Sequence, residues 1–299
     1  GAYEYLLEFV KSDKIDYVRA ALDSGNMTLD FQDMLEIFRA AYSYQRSEIA
    51  EMLIDRYPTL LKHDLYSSSK NNGLMAGCAN GDLPIVKLFI ERGVSPKVDQ
   101  SFCLVEAVSY GHHEVAEYLL EHGADPNAVN GLPLLDAVRL RDGGRMANLL
   151  LDNGANIHES NDSALRYCVG AANLEMTKLL VSRGANIHAE SNIGERVQDI
   201  VNSMSSGRLY LHTPEVKEFV DYANSLFQDK TAAWGQPPEQ IDFLYASIES
   251  GNIAYVAALL DKSEFTRGEV IEAFRLSCFL GKEDIARHVH KLNPWVVAE

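Results

Sequence analysis

Glycines recur through the middle of this chain at a step of 30 or 31 residues, at Gly93, Gly123, Gly154 and Gly184. A fixed period of this size marks a repeat architecture and narrows the possible folds before any motif is considered. More than glycine carries the period. Residues 76–93 (AGCANGDLPIVKLFIERG) align with residues 106–123 (EAVSYGHHEVAEYLLEHG), so that Gly81 falls on Gly111, Ile85 on Val115 and Gly93 on Gly123. Residues 136–154 (DAVRLRDGGRMANLLLDNG) follow with one extra residue near Gly143, and then residues 167–184 (YCVGAANLEMTKLLVSRG).

Each copy predicts a pair of helices. The second helix places apolar residues at i, i+3 and i+4, as in Ile85, Leu88, Phe89 and Ile90 or in Val115, Tyr118, Leu119 and Leu120. That is a one-sided stripe at helical period. The first helix is short and uses small residues, such as Gly77 with Cys78, Ala107 with Val108 and Ala137 with Val138, which let neighbouring pairs approach closely. Gly81, Gly111, Gly251 and Gly281 suit the turn between helices, and the glycines at the repeat ends suit a left-handed helix stop. Ser163 precedes an apolar run, and Pro133 and Pro214 sit where a first-turn proline belongs. One pair cannot bury its stripe alone, whereas stacked pairs bury a continuous core.

Weaker copies flank this run at residues 9–25, 41–57, 247–262 and 277–290. Residues 193–201 and 214–227 read as one more helix pair around a longer loop. The expectation is an all-α solenoid of about nine stacked helix pairs, a single array over residues 1–299 that is clearest at 76–190. Irregular insertions near 57–72, 202–213 and 228–238 break the period.

Three segments then give the repeat a family. Gly123-Ala124-Asp125-Pro126-Asn127, Gly154-Ala155-Asn156-Ile157-His158 and Gly184-Ala185-Asn186-Ile187-His188 resemble the G-A-D-V-N of ankyrin repeats. Leu132-Pro133-Leu134-Leu135-Asp136-Ala137 resembles a degenerate T-P-L-H-x-A, and Gly111-His112-His113-Glu114-Val115 resembles G-H-x-x-V. The resemblance implies an ankyrin-repeat solenoid that binds protein partners. One departure is informative. The family period is 33 residues, and the shorter step here removes residues from the connection between repeats. The resemblance therefore implies shortened inter-repeat fingers and a smoother groove, with partner contacts resting on the first helices and the insertions.

Composition limits the partner. The formal net charge is −16, which leaves no basic footprint for nucleic acid. No run of about 18 apolar residues is present, so no membrane insertion is expected. The four cysteines, Cys78, Cys103, Cys168 and Cys278, form no C-x-x-C or Cys/His spacing and suggest a reducing, cytoplasmic compartment. Cys78, Cys168 and Cys278 fall in first-helix slots and are expected to be buried packing residues. Cys78 and Cys103, in adjacent repeats, are the one conceivable couple. The chain begins with Gly1 rather than Met, so a trimmed start is one expectation. Short, degenerate arrays of this type resemble those of large viruses and of intracellular bacteria that act on host cells, so delivery into a host cell is a route the resemblance leaves open.

Residues just before the mid-repeat turn should face the concave side if the family geometry holds. They give the candidate partner-binding set Tyr44, Asn80, Ser109, Tyr110, Leu140 and Arg141, with Tyr210 and Trp234 added from the insertions. Tyr, Trp and Arg are the residue types that dominate binding energy at interfaces. Phe279 and Leu280, in the last copy, are expected to be covered by the tail around Trp295.

Motifs for chemistry are missing. His112, His113, His122, His288 and His290 do not sit at i, i+4 with a supporting carboxylate in a zinc pattern, and no phosphate-binding loop or G-x-S-x-G is present. His158 and His188 recur with the repeat, in a slot expected to bond neighbouring backbone. Glu283 and Asp284 read as a solvated helix start. No catalytic, cofactor or metal residue is assigned. The resulting expectation is a monomeric, non-catalytic scaffold for an unidentified protein. Two further readings are the recognition portion of a larger effector or enzyme, and a hydrolase hidden in residues 190–240, for which His212 is the residue to test.

Overall fold

The computed structural model describes residues 2–67, 72–206, 213–228, 244–245, 247–249, 251–262 and 265–294. These residues form two compact units, one within 1–229 and one within 230–299. Both are helical, and the one extended pairing among the described residues is an isolated bridge between Glu190 and Arg196.

The first unit is a succession of helix pairs: α1 (Ala2–Lys11) with α2 (Ile15–Asp23), and α3 (Phe31–Ser43) with α4 (Ser47–Arg56). After α5 (Thr59–Ser67) come α6 (Gly73–Asn80) with α7 (Leu83–Glu91), α8 (Val98–Ser109) with α9 (His113–Glu121), and α10 (Ala128–Arg139) with α11 (Gly144–Asp152). The last two pairs are α12 (Glu159–Gly170) with α13 (Leu174–Ser182), and α14 (Val197–Ser206) with α15 (Pro214–Gln228). Short polar side chains start several of these helices. Asp30 caps α3 in a reciprocal box with Asp33, and Asn72, Asp82 and Asn173 accept from backbone N–H groups of α6, α7 and α13. The stripes read from the sequence are the core. Ile85, Phe89, Val115, Leu119, Leu150 and Leu180 are buried, and Phe38 stacks on Phe89 at 6.1 Å.

Between repeats the chain does something the sequence pattern did not announce. Asp99, Gln100 and Ser101 take φ of 50°, 58° and 59°, a full left-handed turn. The same turn returns at Val129, Asn130 and Gly131 and at Ser160, Asn161 and Asp162. This is how the shortened finger is made: three left-handed residues reverse the chain where a longer repeat would project a hairpin. L-residues resist this conformation at roughly 1–2 kcal/mol each, so the turns need support, and side chains provide it. Ser101 Oγ accepts from the Asp125 N–H at 3.0 Å, and Asp162 Oδ1 accepts from the Asn186 N–H at 2.7 Å. At the intervening step the equivalent residue is Gly131, which has no side chain to offer. There Asn127 Oδ1 accepts from the Asn156 N–H at 2.6 Å and Asn127 Nδ2 donates to the Gly154 carbonyl at 3.0 Å. Arg166 also donates to the carbonyls of Ser160 and Asn161.

Residues 189–196 depart from this rule and correct the sequence reading. The helix expected from residue 193 starts at Val197, and a hairpin finger precedes it. Ser191 N–H donates to the Glu195 carbonyl, Val197 N–H donates to the Ala189 carbonyl, and Ile193 stands 89% exposed at the tip. The four extra residues in this connection are enough for two short antiparallel arms. The expected role of His158 and His188 is also corrected. Asn127 bonds the next repeat's backbone, but His158 Nδ1 meets the Asp162 carboxylate at 3.2 Å and His188 packs edge-on against Phe227. An imidazole is too large to bridge two backbone groups as the amide does.

Within the insertion at 57–72, α5 is tied back by a buried acid. Asp64 accepts from the Tyr42 hydroxyl at 2.9 Å and the Gly73 N–H at 2.7 Å, and it pairs with Arg39 at 3.5 Å. On the outer face, the arginine near the end of a second helix reaches the preceding second helix: Arg56 to Asp23, Arg92 to Asp55 and Glu51, and Arg183 to Asp152.

In the second unit, helix Ile253–Lys262 and the pair Arg267–Phe279 and Glu283–Leu292 enclose Ile248, Val256, Val270, Ile285 and Val289. A capping box of Thr266 and Glu269 starts Arg267–Phe279, and Glu283 and Asp284 occupy the first turn of the last helix as expected. Cys278 corrects its expectation: it is exposed, and Ser277 takes the buried slot. Cys78 and Val108, three residues before their mid-repeat glycines as Cys278 is before Gly281, are covered by a following helix pair; among the described residues no pair follows the last one. Phe279 is 86% exposed, and Trp295 lies outside the described residues.

Candidate functional site

The first helices of the initial unit share one face, and it holds a groove. Arg39, Tyr42 and Ser43 of α3, Met75, Ala76 and Ala79 of α6, and Phe102 and Glu106 of α8 line a depression of about 570 Å³. Its origin is local. α6 is short and small-featured, with Gly77 against Ile85 and Val86 of α7, while its neighbours on either side carry Arg39, Phe102 and Glu106. Arg39 and Tyr42 are fixed from beneath by Asp64, whose carboxyl is held above the usual carboxylate range by burial despite three favourable partners. Burial and the same acid push the Tyr42 hydroxyl well above its ordinary value, so the phenol stays protonated and donates.

Tyr44, Asn80, Ser109, Tyr110, Leu140 and Arg141 all lie at the turns that end these first helices. Tyr44 is 48% and Tyr110 64% exposed, and Asn80, Ser109 and Arg141 are exposed as well. Several are held in place. Lys11 lies over the Tyr44 ring at 5.8 Å, and Ser109 donates to the Asp136 carboxylate at 2.6 Å. Tyr110 stacks on His112, whose Nε2 lies 2.8 Å from the Ala79 carbonyl of the preceding repeat. Gly81 makes room for that ring: a Cβ there would come within 2.5 Å of His112, and the residue has φ of 68°. Arg46, in the matching place two steps earlier, donates twice to the Lys11 carbonyl. Leu140 differs from the others, being half-buried over Gly111. Tyr210 and Trp234 lie outside the described residues, as does His212.

The sequence reading missed three contributors. Arg39 and Glu106 give the groove opposite charges at its two sides, and Asp64 organises it from an insertion read only as irregular. Gly143, beside the extra residue of its repeat, is required as glycine: a Cβ would meet the Ala137 carbonyl at 1.9 Å. Among the described residues no group of three His, Cys, Asp or Glu side chains converges, and no helix is long and apolar enough to cross a membrane.

Stacked helix pairs with short connections and a grooved first-helix face define a helical repeat solenoid. Residues 37–130 match the family of ankyrin repeats in three copies. The fold is similar to the ankyrin repeat domain of Bcl-3, with a TM-score of 0.53 at 20% identity over 72% of this chain and 97% of that one. It is equally similar to the human ASB11 ankyrin repeat domain, with a TM-score of 0.53 at 18% identity over 73% of this chain and 96% of that one. A 62-residue segment is 39% identical to the mouse (Mus musculus) ankyrin repeat and SOCS box protein 14, and another alignment of 62 residues is 37% identical to the bovine (Bos taurus) dynein axonemal heavy chain 12. Each covers 21% of this chain, and they span only 11% and 17% of those two proteins. Residues 37–130 thus carry ankyrin repeats, and the fold is that of ankyrin repeat domains, which generally act as protein–protein interaction modules.

Proposed function

We infer that this protein is a non-catalytic scaffold that holds a partner protein segment on its first-helix face. The observation that carries the reading is the groove between Arg39 and Glu106, flanked by Tyr44, Asn80, Ser109, Tyr110 and Arg141 at the adjoining turns. The outer face is occupied by arginine-to-carboxylate pairs between repeats. The first-helix face instead offers exposed tyrosines, held by neighbouring repeats and so costing little ordering entropy on binding. The partner is a protein, and the scaffold works as a monomer without nucleic acid or membrane insertion.

Photo-crosslinking tests the face. A benzophenone amino acid at Ser43 or Ala79 should capture a partner, whereas one at Glu117 on the outer face should not. Capture from Glu117 alone overturns the assignment. Replacing Tyr110 and Arg141 together by alanine should weaken capture, and unchanged capture removes those two residues from the site.

A second reading has support from the comparisons. The matched segments span only 11% and 17% of those proteins, which fits an array that serves as the recognition portion of a larger effector or enzyme. The full reading frame of the gene decides this: a frame encoding only these residues removes it. The extent of the array is a proposal of the same kind. If residues 1–299 make one array, both units should unfold in one transition; two separable transitions would show independent units.

A further inference from the structure

Contacts along the first-helix face follow a register, and one step leaves it incomplete. In the aligned repeats the first residues are Ala76, Glu106, Asp136 and Tyr167, and the fourth residues are Ala79, Ser109, Arg139 and Gly170. In two successive steps the fourth residue of one repeat meets the first residue of the next. Ser109 donates to the Asp136 carboxylate at 2.6 Å, and Arg139 lies over the Tyr167 ring at 5.2 Å. Asp136 also pairs with Arg139 of its own helix at 3.2 Å. The step before these two differs. Opposite Glu106 the register places the methyl group of Ala79 where Asp136 has a hydroxyl, and three residues on it places Ser109 where Asp136 has an arginine. Other acids of the first helices are taken, Glu8 by Lys11 and Glu36 by the Tyr3 hydroxyl. Among the described residues the Glu106 carboxylate makes no hydrogen bond and no ion pair. It is half-buried, and so is Phe102, four residues earlier on the same face of α8.

We propose that the groove takes one arginine side chain of a linear partner segment, with its stem over Ala76 and Ala79 and its guanidinium on Glu106 and against Phe102. The inference rests on the reading of the first-helix face as the partner site and adds the chemistry that the partner must bring. A half-buried carboxylate without a counter-charge gains most from a cation supplied from outside. The small, apolar floor suits the methylene stem of a long basic side chain. Arginine fits better than lysine, because a planar guanidinium bonds a carboxylate twice and also stacks on an aromatic ring. The face already uses this chemistry within the chain, where Arg139 covers Tyr167 and Lys11 covers Tyr44. A formal charge of −16 draws any basic segment towards the surface, so selectivity has to come from the groove itself. Arg39, tied to Asp64 at the opposite side, supplies it by repelling a second cation. The segment is therefore singly basic where it crosses α6.

The test uses the full chain with a benzophenone amino acid at Ser43, which lines the same groove, and a display library of random linear peptides selected at about 0.15 M salt. Peptides that crosslink should share one arginine. Measured by fluorescence anisotropy on the chain without the crosslinker, they should lose about tenfold or more in affinity on Glu106→Gln. Citrulline in place of the arginine, which keeps the shape and removes the charge, should cost as much. Ala79→Ser, which offers Glu106 the hydroxyl that Asp136 has, should weaken binding by a smaller factor. Glu117→Gln removes the same charge from the outer face and should leave affinity unchanged. Thermal melts should find Glu106→Gln as stable as the parent, since no bond within the chain is lost. The proposal is overturned if Glu106→Gln binds the peptides as the parent does, if Glu117→Gln weakens binding equally, or if Glu106→Gln lowers the melting midpoint. Crosslinked peptides without a shared arginine overturn it too, while leaving the first-helix face as the partner site. If no peptide crosslinks from Ser43 or from Ala79, that reading and this inference fall together.

Discussion

Two kinds of connection join repeats in the first unit, and they solve the same problem differently. After Gly93, Gly123 and Gly154 the chain reverses through three left-handed residues. After Gly184 it has four more residues and reverses through a hairpin with its own backbone bonds. The short solution places L-residues, including β-branched Val129, where they are strained, and relies on side chains of the turn or its neighbours for compensation. The long solution satisfies its backbone locally and exposes Ile193 at its tip. A short period therefore trades local self-sufficiency for dependence between repeats.

That contrast can be broken or sharpened by substitution. The largest effect is expected at Asp162→Ala, which strands the Asn186 N–H and the left-handed turn together; chemical denaturation should show a loss of about 2 to 3 kcal/mol. A loss within the error of the measurement would mean that the cross-repeat bond does not support the turn. Gly131→Ala should cost about 1 to 2 kcal/mol, because its φ of 75° suits glycine and the new Cβ meets Glu159. Val129→Gly should go the other way and raise stability by about 0.5 to 1 kcal/mol, net of the extra freedom of the unfolded chain. If it destabilises, the turn is not strained at that residue.

The hairpin side predicts a pH effect instead. Burial lowers the pKa of His188 below its ordinary 6.5. The folded form thus binds a proton less readily than the unfolded chain. The contribution is complete above pH 6.5 and declines as pH falls from there through the lowered folded value. Urea midpoints above and below pH 6.5 should show this slope, and His188→Phe should remove it. The smallest effect is expected at Ile193→Ser. Its exposed tip should tolerate the change within about 0.5 kcal/mol in thermal unfolding.

Legibility followed the same division. Apolar stripes at helical period, small first-helix residues and glycine spacing revealed the helix pairs, because those signals are local and repeat. The shortened finger was legible as a missing length but not as a left-handed turn, since Gln100, Val129 and Ser160 are not residues that favour positive φ. Tyr44 and Tyr110 were found because they precede a recognisable turn. Arg39 and Glu106 were not, because facing each other across α6 depends on how three helices stack. The buried role of Asp64 was hidden by an insertion that breaks the register.

The period by itself determined that this chain is a stack of helix pairs, since no single pair can bury its stripe and each copy repeats the same need. Tertiary structure decided what lies between and beneath the pairs: the left-handed turns and the acid under the groove. Such features come from residues that are distant in sequence, or individually unremarkable, and they acquire their chemistry only when stacking fixes the distances between them.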